Sequence, residues 1–126
     1  MAHSELTAPL DQIVEERVAR EPAFAVDLLR EAAECLLGGE LSVARDLVRC
    51  VIKGSMGYAE LSRRTGKPET SLIRMFGPNG NPTAENLSSV FAQLQQAGGV
   101  KLRVSTAASS RNRAVSRSTR ASRRVA

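Results

Sequence analysis

The side chains with the most chemistry to offer lie close together: Arg63, Arg64, Lys67, Glu69, Thr70 and Arg74, with the apolar Ile73 among them, on either side of Gly66. A guanidinium presents a planar fork of donors that matches the O6 and N7 acceptors of guanine, a pairing typically worth about 1–3 kcal/mol of discrimination. A threonine offers a methyl to the methyl of thymine, or a hydroxyl to a phosphate. A lysine or arginine on a phosphate sets register and carries no sequence information. Arg74 and Thr70 fit contacts to bases; Lys67 and Arg63 or Arg64 fit phosphates. Each has a plainer alternative, with Arg74 as an exposed ion-pair partner and the whole stretch as a solvated corner between two helices.

Other chemistries find little support. The one histidine, His3, stands near the start of the chain, so no Ser-His-acid or Cys-His arrangement is available, and no P-loop occurs. Cys35 and Cys50 sit among apolar neighbours at helical spacing and read best as reduced, buried thiols. A disulfide between them would need two helices packed side by side, and a cytoplasmic setting argues against it. Two isolated cysteines with no CxxC or HxxxH spacing do not make a zinc site. The expectation is a non-enzyme without cofactor or metal.

The elements that would position the basic stretch are helices. With three Phe, one Tyr, no Trp and 42 % hydrophobic residues, the core must come from Leu, Val, Ile and Ala, which favours an all-α fold of one compact domain. Leu10, Ile13, Val14, Arg17 and Val18 form a first stripe, with Glu15, Glu16 and Arg20 outside it. Phe24, Leu28, Ala32, Cys35 and Leu36 form a second after Pro22, ending at Gly38 and Gly39. A third helix runs from about Glu40 to Ile52, with Leu41, Ala44, Leu47, Val48 and Val51 inward and Gly54 placed to cap it in the left-handed conformation. Two short helices follow, about Tyr58–Arg64 and Pro68–Phe76, joined at Gly66. Thr83 then caps a helix whose buried stripe is Leu87, Val90, Phe91 and Leu94. Val100–Val104 alternates apolar and basic residues as a short strand does, and a strand must find a partner, in this chain or in a second subunit.

Charge divides the chain. Residues 1–50 hold ten acids against five arginines, a net −5, whereas 51–104 carry +4. The end of the chain adds Arg111, Arg113, Arg117, Arg120, Arg123 and Arg124 with no acid. An acidic front and a basic back point to a polyanion partner for the second half. From Ser105 onward the composition of Ser, Thr, Ala and Arg predicts disorder. That tail reads as an inert end, as an arm making non-specific nucleic-acid contacts, or as a site of modification or proteolysis, the arm being favoured. The organisation expected is therefore N-terminal scaffold helices over 1–54, a helix-turn-helix region over 55–104 and a basic tail over 105–126.

From Tyr58-Ala59-Glu60-Leu61-Ser62-Arg63-Arg64-Thr65-Gly66-Lys67-Pro68 through Phe76, followed by Gly80-Asn81-Pro82-Thr83 and the Val-Lys-Leu-Arg-Val ending, the chain resembles the HigA-like addiction-module antidote proteins and their orphan helix-turn-helix regulator relatives. The resemblance covers about Tyr58–Val104 and, more loosely, the helices from Pro22 onward. It implies a lambda-repressor-like helix-turn-helix whose second helix reads bases through Glu69, Thr70, Ile73 and Arg74. It also implies a homodimeric transcriptional repressor on double-stranded DNA. The alternative it carries is an antitoxin that neutralises a RelE-type ribonuclease toxin and autoregulates its operon. Lys67 and Ser62 depart from the broader antidote pattern, while Lys67-Pro68 is closer to the orphan regulators. No secretory signal or membrane span is read from the sequence, and the location expected is the cytoplasm.

Overall fold

The computed structural model describes residues 2–109, with side chains from Leu10 onward. Within them lie six helices and no strand: α1 (Ala2–Arg20), α2 (Pro22–Leu37), α3 (Leu41–Gly54), α4 (Gly57–Thr65), α5 (Glu69–Met75) and α6 (Ala84–Gly98). The fold is all-α. None of these helices is long and apolar enough to cross a membrane.

Helices α2 and α6 start for local reasons. Glu21 is extended, as the residue before a proline prefers, and Pro22 opens α2 where its missing N–H costs nothing. The Thr83 hydroxyl accepts from the Asn86 N–H at 3.2 Å, giving α6 the expected cap, with Glu85 in the first turn.

Helices α2 and α3 pack most extensively, α1 lies against both, and α6 closes over α2 and α4. One apolar cluster joins Val18, Leu29, Val48, Ile52, Leu61, Leu72, Phe76, Leu87, Val90 and Leu94, so every helix contributes to the core or flanks it. The inward stripes of α2, α3 and α6 follow the helical period of the sequence.

Helix α1 is turned differently from the expectation. Leu10 and Ile13 are exposed, while Asp11 and Glu15 face α3, where they pair with Arg49 at 2.9 Å and Lys53 at 3.5 Å. The two pairs step along both helices in the same sense, so α1 and α3 run parallel. A second correction concerns Gly54, which is the last helical residue of α3 and not a left-handed cap; its lack of a side chain admits α1.

The strand expected at Val100–Val104 does not form among the described residues. Its main-chain donors turn to α6 instead, the Val100 N–H to the Gln95 carbonyl at 3.1 Å and the Leu102 N–H to Gln95 Oε1 at 2.7 Å. Leu102 packs against the core, and Lys101 and Arg103 point outward on either side of it. Residues 105–109 continue exposed and without regular structure. The expected tail contacts at Arg111, Arg113, Arg117, Arg120, Arg123 and Arg124 lie outside the described residues.

Candidate nucleic-acid interface

Helices α4 and α5 meet through a turn that the side chains build. Gly66 ends α4 at φ 74°, a left-handed conformation that a side chain would strain, and its N–H donates to the Ser62 carbonyl at 2.9 Å. The Thr65 hydroxyl donates back to the Leu61 carbonyl at 2.9 Å and accepts from the Lys67 N–H at 3.3 Å. Ser62 donates to the Lys67 carbonyl at 2.6 Å, so the small residue on α4 ties down the turn beyond it. Pro68 then enters at φ −60° and ψ 139°, and its carbonyl accepts from the Leu72 N–H to begin α5.

Leu61, Leu72 and Phe76 are fully buried and lock the two helices to the core. With Leu72 inward, the helical period puts Thr70 and Arg74 on the opposite side and Ile73 on the flank, while Glu69, one turn before Leu72, is the first residue of the helix; all four are exposed. Ile73 is 47 % exposed, an apolar side chain presented to solvent on a short polar face. Lys67 lies in the turn, half-buried, and is not part of α5.

The ion pairs sort the basic residues into two groups. Arg17, Arg30, Arg45, Arg49, Lys53, Arg63 and Arg64 each pair with a carboxylate. Among the described residues, Lys67 and Arg74 have no such partner, nor do Arg20, Lys101 and Arg103. Arg74 therefore stands exposed, its fork of donors unused, beside Thr70 and Ile73.

Arg63 and Arg64 do not have that freedom. Glu60, one turn earlier on α4, takes Arg63 Nε at 3.0 Å, also contacts Arg63 Nη2, and takes Arg64 Nε at 2.8 Å. Hydrogen bonds from Arg63 and then Arg64 hold the Glu60 carboxyl well below its ordinary range, at about 2. The Glu-x-x-Arg-Arg spacing carries this signal in the sequence, because residues three and four apart share a helix face.

Behind α5 lies a polar layer that local sequence does not announce. Asp11, Asp46, Arg45 and Arg49 form a partly buried network between α1 and α3. Burial opposes the charge of Arg49, but Asp11 and Asp46 outweigh it and raise the guanidinium pKa. Cys50 and Tyr58 lie beside this network, and burial pushes each up to about 12. Both cysteines are free thiols.

Compared with known protein families, curated proteins and solved structures, the chain matches none of them.

Proposed function

We propose that this protein is a sequence-specific DNA-binding transcriptional regulator, a repressor in which α4 and α5 act as a helix-turn-helix and α5 enters the major groove. The observation that carries the reading is the outward face of α5. There Arg74 is exposed and, among the described residues, without an ion-pair partner, beside Thr70 and Ile73, on a helix anchored from behind by Leu72 and Phe76. Arg74 suits the paired acceptors of guanine, Ile73 and the Thr70 methyl suit a thymine methyl, and Glu69 suits the amino group of cytosine. Lys67, Arg63 and Arg64 supply phosphate contacts at the rim. The protein acts as a dimer, with the two copies of α5 in successive major grooves of a near-palindromic site, about 34 Å apart.

Selection of bound fragments from genomic DNA by the full chain, in enough salt to suppress non-specific contacts, tests this. A shared near-palindromic motif is expected, Arg74→Ala relaxing it at one position per half-site and Arg64→Ala weakening all sequences alike. Recovery of fragments with no common motif rejects the reading.

A further inference from the structure

A helix of seven residues does not hold itself together in water, so the surroundings of α5 must fix both its existence and its roll. Leu72 and Phe76 anchor its inner side. Its C-terminal end, where main-chain carbonyls lack partners within the helix, is held from α3. Nη1 of Arg49 donates to the Phe76 carbonyl at 3.0 Å, and Nη1 of Arg45 donates to the Gly80 carbonyl at 3.1 Å on the far side of the following turn. A cation at a helix C-terminus also faces the favourable end of the helix dipole.

Neither guanidinium is loose. Asp46 accepts from Arg49 at 2.9 Å and from Nε and Nη2 of Arg45 at 3.3 Å each, and Asp11 on α1 accepts from Nη2 of Arg49 at 2.9 Å. The Arg49 and Arg45 side chains are only 17 % and 13 % exposed, so these contacts are shielded from salt more than surface pairs are.

We infer that Arg49, aimed by Asp11 and assisted by Arg45, is a positioning residue that sets the roll of α5 and so the placement of Thr70, Ile73 and Arg74. It touches no DNA itself. Without it α5 would still be anchored by the Leu72 and Phe76 side chains, but its C-terminal main chain would lose its hold and could tilt, carrying Arg74 and Ile73 away from the base edges. Helix α1 thereby becomes part of the reading apparatus through Asp11. This inference rests on the DNA-reading proposal above.

The test uses the full chain with Arg49→Lys, which keeps the charge and loses the fork, and Asp11→Asn, which keeps an acceptor and loses the charge. Fluorescence anisotropy compares binding to the selected motif with binding to a scrambled duplex. Preference for the motif is expected to fall about tenfold in Arg49→Lys and less in Asp11→Asn, with scrambled-duplex affinity and its salt slope unchanged. General destabilisation would lower both affinities together. A folded Arg49→Lys protein with wild-type preference overturns the inference; if that variant does not fold, unchanged preference in Asp11→Asn overturns it. Should the wild-type chain prefer no sequence at all, the DNA reading fails. The clamp is then judged by amide exchange at Leu72–Phe76 in Arg49→Lys, or in Asp11→Asn if Arg49→Lys does not fold: selectively faster exchange supports it, and unchanged exchange overturns it.

Discussion

Gly54 on α3 lies so close to Val18 on α1 that a Cβ built on it would stand 2.7 Å from the Val18 Cβ and 2.6 Å from the Glu15 main-chain oxygen. The nearer obstacle is backbone, which cannot rotate aside. Gly54→Ala is therefore expected to push α1 off α3 and destabilise the fold by about 1–3 kcal/mol in urea unfolding. Gly98→Ala is the control, because its Cβ would meet Val26 at an ordinary 3.6 Å. That substitution should be tolerated or mildly stabilising.

The two sides of α5 should respond oppositely to truncation. Leu72→Ala removes a fully buried side chain and is expected to cost about 2–5 kcal/mol by thermal or urea unfolding. Thr70→Ala and Ile73→Ala, on the exposed side, should stay within about 0.5 kcal/mol of wild type. If DNA is the partner, these two change its binding while leaving stability alone. A large stability loss in either would mean that this face is covered in the folded protein.

Glu60 gives a pH signature. Its pKa falls from an ordinary 4.5 to about 2, first through the hydrogen bond from Arg63 and then through that from Arg64. A carboxylate with a depressed pKa contributes stability that is present above its unfolded value and is lost as pH falls through the folded one. The Glu60 contribution is thus complete above about 4.5 and disappears between there and about 2. NMR titration of the Glu60 carboxyl should show a midpoint near 2, moving toward 4.5 in Arg63→Ala. A midpoint of 4.5 in the wild-type chain would mean that the grip does not persist in solution.

Much of this architecture is legible as apolar periodicity. The stripes of α2, α3 and α6 point inward as their period requires, although on α3 Cys50, Ile52, Arg45 and Arg49 are largely covered as well. In α1 the same pattern misleads. Asp11 and Glu15 find Arg49 and Lys53 on α3, and that pairing turns the helix until Leu10 and Ile13 face solvent. The outward placement of Thr70 and Arg74 on α5 follows from Leu72 and the helical period alone. The hold of Arg49 and Arg45 on Phe76 and Gly80 spans 27 and 35 residues of chain, and no local spacing encodes such a reach. The strand read into Val100–Val104 fails for a related reason: alternation describes side chains, whereas a strand also needs a neighbour for its backbone, and Gln95 takes that place.

The hold of Glu60 on two arginines changes what their charges are worth to a visitor. Any polyanion that approaches α4 meets guanidinium groups whose charge a carboxylate already partly offsets, so its phosphates gain less there than from a free arginine, although donors remain open. Exposed ion pairs of this kind are weak enough to be traded. The transaction nevertheless returns little unless further contacts form at the same moment. An encounter through Arg63 and Arg64 alone is therefore disfavoured, because Glu60 competes for the same guanidinium groups.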